Sequence, residues 1–234
     1  MNPTMRMAHE QMSKTALFTA AQSWDAAAVA QLLARSPELT GSRDGRARTA
    51  LHVCAAVPAP GRTVRLPASL ATARALLRAG ADINAVHEIP DGREVFPATP
   101  LWYALARGRN GELARLLLKA GADPNNCLWT VIWSKEPELV RLLLRAGASP
   151  NVRFGGETPL IYAARLVRED AVLLLVAAGA DVTARDAKGR TAADHARKMR
   201  LSSAVLTALG EVTSDREGVR PSRRASGARK SGRR

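Results

Sequence analysis

The sequence predicts an all-α solenoid of about six stacked helix pairs, and two recurring phrases carry that prediction. The first phrase is a leucine-rich run followed by a small residue, Gly, Ala and a short polar turn. Its four copies span residues 75–84, 116–125, 142–151 and 173–183. The second phrase is Thr-Pro-Leu, at residues 99–101 and 158–160, about 21 residues before the glycine of the first. Because both phrases recur in the same order, each unit is predicted to be one helix pair.

Each phrase contains residues that begin or end a helix. A threonine hydroxyl accepts hydrogen bonds from the free N–H groups of a first turn, where proline needs no donor. Glycine after a leucine-rich run is typical of a left-handed helix end, and the following Asp and Asn favour a turn. A unit is therefore predicted to contain a helix, a short loop, a second helix, a glycine stop and a polar turn.

The first and last units depart from this pattern and are interpreted as caps. The first, residues 13–42, has Pro-Glu-Leu where other units have Gly-Ala-Asp, and the last, residues 186–209, has no glycine stop. Repeat arrays need terminal units with a polar outer face. The predicted division of the chain is a disordered N-terminal segment, a helical repeat domain and a basic disordered tail, at residues 1–12, 13–210 and 211–234.

The two phrases resemble those of ankyrin repeats, whose unit of about 33 residues carries Thr-Pro-Leu-His and ends in Gly-Ala-Asp. The resemblance covers residues 15–209. It implies antiparallel helix pairs stacked in an L-shaped ankyrin-repeat solenoid, with short hairpin fingers between the polar turn of one unit and the first helix of the next. The full Thr-x-Leu-His phrase occurs only at residues 49–52, so the usual histidine bonds are not assumed elsewhere.

Function is expected where the repeat spacing breaks, because regular units serve as scaffold. Residues 57–67 add about ten residues, three of them proline, between the helices of the second unit. Residues 88–96 enlarge the finger of the third unit, and Asp91-Gly92 favours a hairpin turn. In the fourth unit a helix begins almost directly after Asn125. A long finger beside a missing one predicts a notch, and neutral drift of surface loops is the alternative.

Seven of the nine aromatic residues lie between positions 96 and 162, in the same units. Trp and Tyr are favoured anchors of protein interfaces. Trp102 and Trp129 occupy the histidine position of their first helices, so we expect both mostly in the core. Tyr103 and Tyr162 follow that position and are expected to be half-buried. The predicted partner-binding residues are three surface aromatics and three nearby arginines: Arg93, Phe96, Arg107, Trp133, Phe154 and Arg165.

The sequence predicts no catalytic site, no metal site and no cofactor, and therefore no enzyme. His52 and Cys54 are two residues apart on one helix and cannot share a metal. We expect His52 to be a structural repeat histidine and Cys54 a small core residue. Cys127 lies at a helix start, where a thiolate can be stabilised, but a packed structural cysteine is the preferred interpretation. The glycines lack the context of a phosphate-binding loop.

The charge of the chain leaves a second function open. The chain has 35 basic and 21 acidic residues, a net charge of +14, and residues 211–234 contribute +5 of it. Such a tail can bind nucleic acid through counterion release, although it has no aromatic residue for base stacking. Two cysteines favour a reducing compartment, and no apolar run is long enough for a transmembrane helix. The Arg-rich and Ala-rich composition is associated with bacterial sequences.

We therefore predict a monomeric bacterial protein of the cytoplasm that binds another protein and no membrane. The resemblance implies an adaptor or inhibitor that uses the concave surface of fingers and first helices in units three to five. Two alternatives stay open: a nucleic-acid-associated protein that uses the basic body and tail, and a secreted bacterial effector. Steep weakening by salt would distinguish phosphate binding from an aromatic interface.

Overall fold

A computed structural model shows helix pairs stacked in two layers. The structure describes residues 3–58, 66–91 and 94–210. The predicted tail, residues 211–234, and most of the insertion in the second unit lie outside the described residues. The all-α solenoid predicted from the sequence is confirmed, with one two-stranded sheet among the described residues.

The first helices of successive units pack on one another and form an inner layer. They are α1 (Pro3–Ser23), α3 (Ala50–Ala56), α5 (Pro100–Ala106), α7 (Leu128–Trp133), α9 (Pro159–Arg165) and α11 (Ala192–Met199). The second helices form an outer layer. They are α2 (Ala26–Arg35), α4 (Leu66–Arg78), α6 (Gly111–Lys119), α8 (Pro137–Arg145), α10 (Glu169–Ala177) and α12 (Ser203–Ala208). A 3-10 helix, Pro37–Gly41, follows α2, and strand β1 (His87–Asp91) pairs antiparallel with β2 (Glu94–Ala98).

The N-terminal boundary differs from the one expected from the sequence. The backbone is helical from Pro3, whereas residues 1–12 are expected above to be disordered. Proline fits the first turn of a helix, and residues 4–12 contain no glycine or further proline that would interrupt one. The first unit therefore has a first helix of 21 residues, much longer than those of the inner units.

The helix ends follow the predicted chemistry. Four first helices begin after a threonine whose side chain accepts a hydrogen bond from the backbone N–H three residues later: Thr49, Thr99, Thr158 and Thr191. Gly80, Gly121, Gly147 and Gly179 end four second helices with φ between 84° and 94°. Most residues avoid this left-handed region, which explains the glycine in every copy of the phrase.

Asparagine side chains join the polar turns of consecutive units. Each accepts, through Oδ1, a hydrogen bond from a backbone N–H of the next unit. The bonds run from Asp123 to Asn84 (2.8 Å), from Ser149 to Asn125 (3.0 Å) and from Asp181 to Asn151 (2.8 Å). Because the asparagine has the same repeat position each time, units two to five are held in one register.

His52 links the second unit to the third from a fully buried position. Its Nδ1 lies 2.8 Å from the Thr49 hydroxyl, and its Nε2 lies 3.2 Å from the carbonyl oxygen of Ala98 at the end of β2. Burial lowers the pKa of His52 to about 4. Cys54 is also fully buried, and burial raises the pKa of its thiol to about 12. Both residues have the structural roles predicted from the sequence.

Acidification below neutral pH is expected to destabilise the fold through His52. The pKa of His52 falls from 6.5 to about 4 on folding, so the unfolded chain takes up the proton first as the pH falls. The stabilisation is present above pH 6.5 and is lost as the pH falls towards 4. The expected loss between pH 7.5 and pH 5 is about 2 kcal/mol.

Urea unfolding of the full chain at both pH values measures this loss. The variant His52→Gln lacks the titrating group, so its free energy of unfolding should change less between the two pH values. An NMR titration that places the pKa of His52 near 6.5 in the folded protein would contradict the expectation.

Candidate partner-binding surface

The finger of the third unit is a hairpin that reaches past the fourth unit. Its strands pair from His87 with Ala98 to Asp91 with Glu94, which confirms the enlarged finger predicted from the sequence. The fourth unit has almost no finger, because α7 begins three residues after Asn125. The long finger crosses this gap and contacts the finger of the fifth unit.

Five aromatic side chains meet where the long finger lies against the inner layer, and we call them the aromatic cluster: Phe96, Trp102, Trp129, Phe154 and Tyr162. The Phe96 ring lies 5.3 Å from those of Trp102 and Phe154, measured between ring centroids. Trp129 lies 6.3 Å from Phe154 and 5.2 Å from Tyr162. These separations suit edge-to-face or tilted aromatic packing, so the rings hold one another in place across three units.

Several aromatic residues of this region are buried to a different extent than the sequence predicts. Phe96 is expected to be a surface anchor but is only 8% exposed, because the hairpin folds its ring between Trp102 and Phe154. Trp102 and Trp129 are half-buried rather than core residues, because they form the wall of an open cleft. Tyr103 is buried rather than half-buried, and its hydroxyl lies 2.8 Å from Nδ1 of His87.

Two adjoining clefts open beside the aromatic cluster, and together we call them the aromatic cleft. One, of about 400 Å³, lies between the finger residues Ile89–Asp91 and the cluster. The other, of about 310 Å³, lies between α5 and α7 and is lined by Arg107, Arg109 and Trp133. The two clefts share Trp102, Arg107, Trp129 and Tyr162. An extended segment of a partner could therefore occupy both.

Trp133 stands at the outer end of the aromatic cleft and is 64% exposed. It follows Trp129 by one helical turn on α7, and the sequence predicts this exposure from the repeat position. Phe154 is half-buried within the cluster. Trp133 is therefore the one of the three predicted anchors that presents most of its surface to solvent.

The predicted arginines differ in how their charge is balanced. The guanidinium of Arg165 lies 5.1 Å from the ring centroid of Tyr162 and donates two hydrogen bonds to Glu157, of 3.1 and 3.0 Å. Arg107 lies 6.0 Å from the ring centroid of Trp102. Among the described side chains, no carboxylate pairs with Arg107 or Arg109. Arg93 lies outside the described residues.

Two further polar groups of the cleft, the Tyr162 hydroxyl and the Trp129 indole N–H, are neutral. Burial raises the pKa of Tyr162, so its hydroxyl stays protonated at neutral pH. The indole N–H of Trp129 is buried without a hydrogen-bond partner among the described residues, which sequence reasoning missed because no local signal marks it. A buried donor of this kind costs about 1–3 kcal/mol.

Cys127 lies in the core beneath this surface. It is fully buried, and burial raises the pKa of its thiol to about 12, so it has the packed role preferred from the sequence. In the part of the chain that the structure describes, no group of three or more His, Cys, Asp or Glu side chains could hold a metal ion. No described helix is long and apolar enough to cross a membrane.

Comparisons with known proteins agree with the architecture. The sequence model for ankyrin repeats (three copies) matches residues 101–186 and 128–208. A crystal structure of an ankyrin repeat domain from Acinetobacter baumannii AYE is similar to the chain, with 28% identity and a TM-score of 0.64. The match covers 82% of this chain and 95% of that one. No curated protein sequence matches the chain.

The two tryptophans of α7 are expected to differ in their effect on stability. Trp129→Ala removes a ring that contacts Phe154 and Tyr162, so it should lower the free energy of unfolding by about 3 kcal/mol. Trp133→Ala should change it by less than about 0.5 kcal/mol, because that side chain is largely in solvent. Urea unfolding followed by circular dichroism measures both. Equal losses would show that Trp133 belongs to the folded core.

Proposed function

The chain is an ankyrin-repeat protein, and from that premise we propose that it is a non-enzymatic protein-binding module, an adaptor or inhibitor, whose partner occupies the aromatic cleft of units three to five. Ankyrin repeats are generally modules of protein–protein interaction. The adaptor or inhibitor role and the choice of surface are the parts we propose. The observation that carries the choice is the exposed Trp133 beside a preformed aromatic wall and two arginines without described ion-pair partners.

The composition of the cleft supports this assignment. Residues that dominate binding energy at protein interfaces are most often Trp, Tyr and Arg, placed where a partner excludes water. Trp102, Trp129, Trp133 and Tyr162 line the part of the cleft between α5 and α7. Exposure of the large Trp133 ring to water is unfavourable, and a bound partner would bury it. A purely structural role for this surface would give no reason for a tryptophan at this position.

The cleft is also rigid enough to bind with little loss of conformational entropy. Its rings contact one another across units three, four and five, and its walls combine helices of the inner layer with the paired strands of the third finger. Side chains already held in their bound positions lose less freedom when a partner arrives. Phe96 and Phe154 thus act by shaping the wall, and Arg165 by covering the face of the Tyr162 ring.

The charges at the rim indicate the chemistry of the partner. Arg107 and Arg109 lie on one side of the outer cleft and Trp133 on the other. A partner segment with an apolar side chain next to an acidic residue would place the first against the tryptophans and the second near the arginines. Asp91, which lines the finger side of the cleft, would disfavour an acidic residue there. The segment should therefore run with its acidic end towards Arg107 and Arg109.

Replacement of Trp133 should remove binding without unfolding the protein. Once a partner is isolated with the full chain, Trp133→Ala should weaken its binding by about 2 kcal/mol, roughly 30-fold in Kd. The matched control is Leu173→Ala, which truncates another exposed large apolar residue, on α10 of the outer layer. Calorimetric titration of each variant measures the effect. Equal affinity of the two variants would place the binding surface elsewhere.

A further inference from the structure

Six exposed basic side chains form two rows on the outer layer, and we call this surface the basic face. In α4, α6 and α8 a basic residue lies six residues and again two residues before the glycine that ends the helix. The pairs are Arg74 and Arg78, Arg115 and Lys119, and Arg141 and Arg145, all of them exposed. This face lies on the second helices, whereas the aromatic cleft lies on the first.

The register of the repeats places these cations in an ordered array. The asparagine bonds hold units two to five in one register, so equivalent positions recur from one outer helix to the next, and α4 and α6 pack side by side. Within a helix, side chains four residues apart are separated by about 5–6 Å, and helices that pack together lie about 8–10 Å apart. A groove of about 490 Å³ between α4 and α6 is lined by four of the six: Arg74, Arg78, Arg115 and Lys119.

The array is unfavourable for the fold itself. Like charges four residues apart on a helix repel each other, and three consecutive outer helices carry such a pair. For the cation nearest each helix end, the repulsion is offset by a favourable interaction with the helix dipole. Arg74, Arg115 and Arg141 lie in the middle of their helices and lack this compensation. Exposed ion pairs join Arg115 to Glu112 at 3.6 Å and Arg141 to Glu138 at 3.7 Å, and such pairs contribute little.

The fifth unit shows that the repeat does not require these charges. The positions six and two residues before Gly179 are Leu173 and Ala177, and α10 packs on α8 and α12 as α4 packs on α2 and α6. The cations are therefore confined to particular units rather than imposed by the repeat. An exposed charge array that costs stability and is not needed for folding indicates a binding role.

We propose that the basic face binds the phosphate backbone of a nucleic acid without recognition of its sequence. Five of the six cations are arginine, whose planar group donates paired hydrogen bonds to phosphate oxygens. Cations at regular intervals fit a polymer with regularly spaced charges, and binding of this kind draws its energy from counterion release. The composition of the chain indicates that it could bind nucleic acid but does not say whether the body or the tail would do so. The proposal assigns this binding to the body.

The basic face lacks the largely exposed apolar side chains that a protein interface or a lipid surface would use. Protein interfaces have an apolar or aromatic core, and membrane-bound surfaces insert apolar side chains. None of the exposed large apolar residues of the described chain lies on α4, α6 or α8. The leucines that line the groove between α4 and α6 are partly buried, and Glu112 lines it as well. Among the described residues, the basic face therefore has no largely exposed apolar side chain that could anchor a protein interface or insert into a membrane.

The test is fluorescence anisotropy of the full-length chain with a labelled DNA duplex of about 30 base pairs and mixed sequence, across a salt series. The face variant Arg74→Gln/Arg115→Gln/Arg141→Gln removes the mid-helix row. The control variant Arg46→Gln/Lys188→Gln/Lys198→Gln removes the same charge from exposed positions on fingers and on α11. Both keep the tail, and circular dichroism melting checks that both fold.

The proposal predicts a specific loss for the face variant. Its binding should weaken roughly tenfold at low salt, and the slope of log affinity against log salt should fall by about 2–3, while the control changes less than about twofold. The reciprocal variant Leu173→Arg/Ala177→Arg extends both rows to the fifth unit. It should bind more tightly with a steeper slope, and it tests the proposal even if the face variant fails to fold.

Three results would overturn the proposal. Equal weakening of the face and control variants would show that only net charge matters. Failure of the unmodified chain to bind the duplex at low salt would remove the function. Binding to polyglutamate or to anionic lipid vesicles, lost in the face variant, with no duplex binding would assign the basic face to an acidic protein or a membrane instead.

Discussion

Stacking between neighbouring units is the constraint on which the rest of the structure depends. The first helices of units two to five have only six or seven residues, and isolated helices of fewer than about 12 residues are marginal in water. Each becomes stable because leucines such as Leu51, Leu101 and Leu160 are fully buried against adjacent helices. Polar bonds then specify the register: His52 reaches Ala98, and each turn asparagine reaches the backbone of the next unit.

The aromatic cleft is a consequence of breaking this regular arrangement at one place. A finger of ordinary length in the fourth unit would separate the third finger from the fifth. Its near absence lets Phe96 lie edge-on against Phe154, 58 residues further along the chain. The same gap leaves Trp102 and Trp129 half-covered, so these rings form a wall instead of a core. The binding surface that we propose is thus built by the long finger and the missing one together.

Local chemistry could be predicted from the sequence, and long-range placement could not. The starts at Thr49, Thr99 and Thr158 follow from capping, which involves residues three apart, and the glycine ends from a single backbone angle. The burial of Phe96 depends on how far a hairpin reaches across two units, which no local pattern specifies. The basic face could not be predicted from the sequence either. Its mid-helix arginines are 26 to 41 residues apart along the chain, and the register between units is what brings them into a row.

One register therefore supports two surfaces of different chemistry on opposite layers. The aromatic cleft uses the first helices and fingers of units three to five, and the basic face uses the second helices of units two to four. Because the layers are separated by the buried core, a protein in the cleft and a nucleic acid on the basic face would not collide. The asparagine bonds hold these units in a single arrangement. Binding at one surface therefore cannot shift the units to an alternative register that would change the affinity of the other surface. The two proposed activities should thus be independent in affinity and joined only through the scaffold.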